Sequence, residues 1–533
     1  MFTNFLKYKK SSRAEIQENQ DFEPFQKENL HHNLHNNMDT IKTVLGNSSD
    51  VIFREFQIAG GIQAAVVCTD GLCDPITVSD FVVKSSMHAQ DKTLIPNQNN
   101  PETIVQTVKE QLVTFWDIRE LSDWKQLYLA VLSGDSVLIL DGCDIALAAG
   151  TRGGENRSIT EPSTQTVIRG PKEGFTESFR TNTSLIRRKI KSPKLWLEEK
   201  TIGEVTLTTV GIMYIQGIAN ESIVQEVRNR LDGIFVDGIL ESGYIEDLIQ
   251  DGVWTPFPTV FNSERPDVIA AGLLEGRIAI LVDGTPFVLL VPVVLTSFLQ
   301  AAEDYYQRYD FGTLLRILRF CSLFIALLFP SLYVAIASYH QETLPTSLVL
   351  NLAAQREGVP FPPILEAFLM EVVFEVLREA GVRMPSTVGN TISIVGALVI
   401  GQSAVEAGVI SPAMVIVVSF TAITNFVIPS FNFGIALRLL RFVFLVLAGT
   451  LGMYGIAVGL LIFVLHLSSL RSFGVPYLKP FSPFIATEQK DALFRFPIWA
   501  MNTRPHFASK NLVREAPDQK PQKPPGDRSR DDE

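Results

Sequence analysis

Four glutamates crowd one short amphipathic stretch: Glu366, Glu371, Glu375 and Glu379 lie within PFPPILEAFLMEVVFEVLREAGVRMP, Pro360 to Pro385. Glu371, Glu375 and Arg378 follow at steps of four and three, the spacing that sets side chains along one helix face. Carboxylates so arranged could guide cations, which rings of acidic side chains favour, or could pair with arginines to hold helices together. Further polar groups stand in the apolar sequence beyond: Asn390, Gln402, Glu406 and Asn425. Glu366, Glu371, Glu375, Asn390, Gln402, Glu406 and Asn425 are therefore the candidates for an ion path or a coupling element.

The elements that must position them follow from the same residues. An amphipathic helix is expected over 362–380, with Pro362 and Pro363 in its first turn, Gly381 closing it and Pro385 preventing its continuation. A charge at a bilayer centre costs at least ~2.5–3.5 kcal/mol, so this helix belongs at an interface, inside an assembly or beside water. The uncharged run after it reaches about 20 residues, enough to cross a bilayer. Gly389, Ser393, Ala397 and Gly401 recur there at intervals of four, a small-residue stripe that lets helix backbones approach.

Spans are expected near 320–339, 385–405, 413–437 and 442–466. The third is interrupted by Asn425, Pro429 and Asn432; freed carbonyls there could coordinate a cation, or the break could be a plain kink. Four spans put Arg438 and Arg441 outside, against the positive-inside tendency. Either the glutamate helix partly inserts or these arginines are paired within an assembly.

Composition agrees with a divided chain. The 533 residues exceed what one core usually holds, and the apolar excess is concentrated between Phe320 and Leu470. The expected fold class is an α/β soluble region of two subdomains followed by an all-α polytopic membrane domain. The expected divisions are a flexible polar arm over 1–45, a first subdomain over 46–150 and a charged connector over 151–200. A second subdomain over 201–310, the membrane domain over 311–470 and a tail over 471–533, disordered at its end, complete them. VLILDG before Cys143 and IAILVDG before Thr285 hint that the two subdomains are related.

Other signals exclude more than they assign. A net charge of −11 argues against nucleic acid as a partner. Cys68, Cys73, Cys143 and Cys321 fit neither a disulfide framework nor a zinc site. His31 and His35 would share a helical face, yet a flexible arm or short docking helix is the simpler reading. The N-terminus lacks the long apolar core and cleavage site of a secretory signal, so a cytosolic soluble half is expected. Arg169, Lys172, Glu173, Glu177, Arg187 and Arg188 mark the connector, whose basic cluster is a solvated face or meets anionic lipid or an acidic partner. No nucleophile–base pairing, metal-ligand set or phosphate loop stands out, so neither catalysis nor a cofactor is expected.

Three stretches resemble the A subunit of the GerA-type spore germinant receptors: RGPKEGFTES with TNTSLIRRKIK (Arg169 to Lys191), Pro360 to Pro385, and IVGALVIGQSAVEAGVISP (Ile394 to Pro412). The resemblance implies a multi-pass subunit of the spore inner membrane, partnered by a permease-like B subunit and a lipoprotein C subunit. It further implies homo-oligomers that conduct monovalent cations when nutrients trigger germination. Alternatives are a non-conducting scaffold or transducer in the same complex, or the paralogue associated with dipicolinate release.

Overall fold

In the computed structural model, the described residues are 29–58, 61–80, 101–109, 118–153, 161–162, 165, 167–383, 401–509, 511–514 and 521. The chain opens with α1 (Leu34–Val44), β1 (Val51–Gln57), β2 (Gln63–Thr69), β3 (Ile118–Leu121), α2 (Trp124–Val131), β4 (Ser136–Leu140) and β5 (Ala146–Ala149). These strands form one sheet in the order β1-β2-β4-β5-β3. A second set follows: α3 (Phe179–Lys189), β6 (Leu195–Ile202), β7 (Thr208–Ile215), α4 (Glu221–Asp232), α5 (Ser242–Ile249), β8 (Phe261–Ser263), α6 (Pro266–Leu274), β9 (Ile278–Val282) and β10 (Val288–Val291). Its sheet order is β6-β7-β9-β10-β8, the same permutation. All recorded pairings in both sheets are antiparallel. Each sheet buries both faces, as when Ile212 and Tyr214 of β7 enter one core cluster and Met213 and Ile215 the other.

The likeness extends to single hydrogen bonds. Gly142, turning β4 into β5, and Gly284, turning β9 into β10, both have positive φ, which glycine adopts without steric cost. Asp141 Oδ1 accepts from Leu34 N at 3.0 Å, and Asp283 Oδ1 accepts from Phe179 N at 3.1 Å. Gly142 N donates to His32 O, and Gly284 N to Glu177 O, each at 2.8 Å. Asn37 clasps both backbone groups of His31, and Asn182 does the same to Thr176. Each half is thus one supersecondary plan, a helix pinned at its start to the Asp-Gly turn of a central hairpin.

Two expected boundaries are corrected here. The arm ascribed to residues 1–45 contains α1, whose Leu34, Met38 and Ile41, with Leu45 just after it, are buried in the first core; abundant His and Asn hide that stripe in the sequence. His35 pairs with Asp39 at 3.5 Å on the exposed side. The stretch 151–200 is not all connector, because α3 and the start of β6 lie inside it. Phe179, Leu185 and Ile186 are buried beneath its charged face.

Beyond the second sheet the chain becomes helical: α7 (Tyr309–Tyr339), α8 (Thr346–Arg356), α9 (Pro363–Arg383), α10 (Pro412–Asn425) and α11 (Phe431–Ser469). Among the described residues, α7 and α11 are long and apolar enough to cross a membrane. Within α11, Gly452 has φ +63° and ψ −141° and is not helical. A Cβ at Gly459 would lie 2.8 Å from the Phe444 ring. A straight helix would separate residues fifteen apart by roughly 22 Å, at 1.5 Å per residue. Phe257 touches both Phe433 and Phe463, with ring centroids 5.8 Å away in each case. α11 is therefore a hairpin of two antiparallel arms, 431–451 and 453–469, turning at Gly452.

That geometry corrects the spans expected at 413–437 and 442–466. The first contains all of α10 but its first residue, the Pro429 turn and the start of α11, while the second straddles the Gly452 turn. The sequence from Phe442 to Leu465 carries no charge, so glycine alone marks the reversal. The span expected at 385–405 falls largely outside the described residues. Within the tail, residues 471–509 fold back onto the second subdomain. Tyr477 is fully buried there, and Ser509 donates to Ile218 O at 2.8 Å.

Candidate functional site

α9 presents Glu366, Ala367, Met370 and Glu371 as its buried face, a spacing that keeps them on one side of the helix. Each carboxylate finds a different partner. Glu366 Oε1 accepts from Ser411 N at 2.6 Å and from the Ser411 hydroxyl. Ser411 in turn caps α10 through Met414 N. Glu371 Oε2 lies 2.6 Å from Arg441 Nη1, with both side chains 4% exposed or less. Glu375 is half-buried, engages Arg378 and stands 3.7 Å from Arg438 Nη1. Glu379 pairs with Arg383 on the exposed side.

The pairs Glu371–Arg441 and Glu375–Arg438 ascend α9 while descending the first arm of α11. They form a two-rung ladder between antiparallel helices. Both arginines thus have acidic neighbours on the glutamate helix, Arg441 in direct hydrogen-bonded contact and Arg438 at a looser 3.7 Å. Taking one partner from such a buried pair strands the other charge, which typically costs ~3–5 kcal/mol. The ladder therefore fixes register as well as charge.

The remaining candidates are dispersed. Gln402 Nε2 donates to Glu406 Oε1 at 2.8 Å, and both residues are exposed on the helical segment 401–406. Gly401 faces α10, where an added Cβ would sit 3.8 Å from the Val415 side chain. Asn425 ends α10 and borders a cavity of about 380 Å³ between the second subdomain and the start of α11. Asn390, Gly389, Ser393 and Ala397 lie outside the described residues.

The connector residues separate in the same way. Arg187 is 1% exposed and does not form part of a solvated face. Its Nη2 reaches Asp50 Oδ1 at 2.7 Å and Ser48 Oγ at 2.9 Å, while Nη1 donates to Leu195 O at 2.9 Å. It is an ion pair joining the two subdomains, unavailable to lipid or to a partner. Lys172 pairs with Glu161 and Glu173 with Lys189 at the surface. Arg169 is exposed, and Glu177 serves through its backbone at the Gly284 turn.

The sequence reading missed the junction between halves. Asp304 is fully buried, with Arg319 Nη1 at 2.7 Å and Arg316 Nε at 3.2 Å. Arg316 also reaches Asp491 Oδ1 in the returning tail at 2.9 Å, and the Tyr305 hydroxyl donates to the same carboxylate. Arg316 and Arg319 look like basic flanks of a span; three apart on one face, they also had the spacing of a shared acidic partner. Nearby, Glu246 of α5 lies in a smaller cavity with Glu241, Asn262 and the turn Pro429–Asn432. Burial pushes its carboxyl up to about 7, opposed by a hydrogen bond from Asn262 and aided by Asp247 and Glu241.

Family comparison fits this architecture. Residues 39–507 match the model of the Bacillus/Clostridium GerA spore germination protein. The chain belongs to the GerA family. It is 49% identical to spore germination protein KA of Bacillus subtilis over 492 residues, covering 92% of this chain and 89% of that protein. It is 40% identical to spore germination protein A1 of Bacillus subtilis, over 87% of this chain and 94% of that one. GerLA of Bacillus cereus is 39% identical over 90% and 96%. A crystal structure of the N-terminal domain of the A subunit of the Bacillus megaterium spore germinant receptor GerK3 is 41% identical. It covers 51% of this chain and 98% of that one, with a TM-score of 0.40. The GerA match spans both sheets, the α9 ladder and the α11 hairpin.

Proposed function

We propose that this GerA-family chain is the A subunit of a nutrient germinant receptor in the spore inner membrane, with its N-terminal half in the cytosol. Copies of the chain would enclose a path for monovalent cations, opened when nutrients bind the assembly, with a permease-like B subunit and a lipoprotein C subunit as partners. One observation supports placing the path between copies. Glu366 and Glu371 are occupied within the chain by Ser411 and Arg441, whereas Gln402 and Glu406 stay exposed at the end of the small-residue run. A ring of Glu406 side chains would favour cations. On this reading Glu371 and Glu375 serve coupling, and Glu406 serves the path.

The second reading is a transducer that conducts nothing, and the buried Glu371–Arg441 pair favours it, because such pairs serve register without any flux. Full-length protein in liposomes separates the two. Potassium flux that falls at least tenfold on Glu406→Gln, with the oligomer intact, supports conduction. A stable oligomer without flux, alone or with its partners and a mixture of amino acids, sugars and nucleosides, supports the transducer.

A further inference from the structure

We propose that the cavity between the second subdomain and the Asn425–Phe431 turn is a binding site for a phosphate group, carried by a lipid headgroup or free in solution. The cavity is walled on one side by Phe261, Arg265 and Phe298 and on the other by Arg378, Asn425 and Arg438. Phe431, Gly434 and Arg438 of α11 all line it. Their spacing of three and four keeps them on one helix face. The cavity thus looks along the N-terminal turns of a long helix.

Two independent features make this an anion site. The first is Arg438, 6% exposed. Its nearest carboxylate is Glu375 at 3.7 Å, and its buried Nε has no hydrogen-bond partner among the described residues. A buried guanidinium that lacks full pairing is costly, and an oxyanion accepting its fork removes that cost. The second is the helix start, which has no side-chain cap at Ser430, so its first backbone N–H groups and its dipole favour a negative charge. Asn425, with Oδ1 buried and unpartnered among the described residues, can turn its amide to donate as well.

Arg378 and the buried Arg265 add positive charge to the lining, each already engaged by its own carboxylate, Glu375 and Asp267. Glu303 lies on the wall, but its Oε1 already accepts from Ile168 N. A phosphate offers several oxygens to guanidinium forks and helix N–H groups at once, which a carboxylate does with only two. Phe261, Phe298, Phe426 and Ile428 give the cavity an apolar wall beside these donors, suiting a headgroup whose chains leave along the helices. The lipid source rests on the membrane placement above; the phosphate site does not.

The test uses the full-length protein in detergent and follows its thermal midpoint. Probes are inorganic phosphate, phosphatidylglycerol micelles and, as a lipid without phosphate, monoacylglycerol micelles. Stabilisation by phosphatidylglycerol over monoacylglycerol, without an effect of inorganic phosphate, supports a headgroup site. Stabilisation by inorganic phosphate as well supports a site for the free ion. Arg438→Gln should weaken the apparent affinity tenfold or more.

Because Arg438 is buried, Gly434→Leu is the second variant. A Cβ at Gly434 meets only Asn425, at 3.8 Å, so the leucine fills the cavity and leaves every arginine in place. It should abolish the stabilisation while the protein without probe melts no lower. Stabilisation by neither phosphate probe, or undiminished stabilisation in Gly434→Leu, overturns the proposal. Because cation flux is not read, failure of the conduction reading leaves this test intact.

Discussion

Glu371 and Arg441 are buried against each other, and at the scale of residues that pair carries the sharpest prediction. Glu371→Gln should lower stability by ~3–5 kcal/mol, because Arg441 is left charged and unpaired. The double variant Glu371→Leu with Arg441→Leu should recover most of the loss, since the pair's desolvation cost disappears with its attraction. Thermal midpoints in detergent distinguish the two. Equal losses in both variants would mean that shape, and not charge, governs the contact. Arg187 and Asp50 make the same prediction between subdomains: Asp50→Ala should cost ~3–5 kcal/mol by the same reasoning, read by thermal denaturation with Arg187→Leu/Asp50→Leu as the compensated form.

Glu246 gives a pH dependence. Its folded carboxyl titrates near 7, above the unfolded 4.5, so the folded state binds more protons between those values. Stability then falls as pH rises through that window, and the full penalty is present above it. Glu246→Gln should remove this slope and stabilise the protein by on the order of 2–3 kcal/mol at pH 8, with little effect at pH 4. An unchanged slope in the variant would assign the dependence to another group.

At the scale of elements, α9 was legible as a helix because its prolines and apolar period agree there, although the helix runs through Gly381, expected to close it, to Arg383. Which of its glutamates turned inward was not. Four acidic residues spaced over several turns leave more than one face open, and only the arginines of α11, about seventy residues later, select Glu371. For α1 the sequence left a flexible arm and a short docking helix open, because Leu34, Met38, Ile41 and Leu45 are separated by His, Asn and Asp, which dominate composition but lie mostly outside the core. The α11 reversal was illegible for the opposite reason, as apolar sequence continues on both sides of Gly452.

Gly452→Ala tests that reversal. Its φ of +63° is one that alanine rarely adopts, and the added Cβ would lie 2.9 Å from the His340 ring. The backbone strain alone is of order 1–3 kcal/mol. The variant should lose thermal stability and lower the efficiency of a disulfide crosslink between cysteines placed at 444 and 459. Crosslinking at the original yield with unchanged stability would contradict a hairpin.

At the scale of the whole molecule, two copies of one sheet plan, 1-2-4-5-3, are locked by Arg187 and joined to helices by the Asp304–Arg316–Arg319–Asp491 cluster. The Asp-Gly pair in VLILDG and IAILVDG pointed to this repeat, and both motifs fall on the equivalent strand of their sheets. The rest of the repeat is carried by buried side chains of different identity and by backbone hydrogen bonds, which a sequence does not display. The junction is where a signal would pass between the halves. Asp304→Asn should therefore reduce nutrient-triggered cation release from spores at least tenfold, with the chain still present in the membrane fraction. Release at the normal rate would remove the cluster from the signalling route.

Glu406 as a path residue and Glu371 as a structural one are the two roles on which the proposed mechanism turns. Potassium release from spores carrying Glu406→Lys, after a mixture of amino acids, sugars and nucleosides, tests it most directly. The predicted result is at least a tenfold loss of release, with receptor level and oligomer size unchanged. Normal release from that assembled receptor would contradict the central claim.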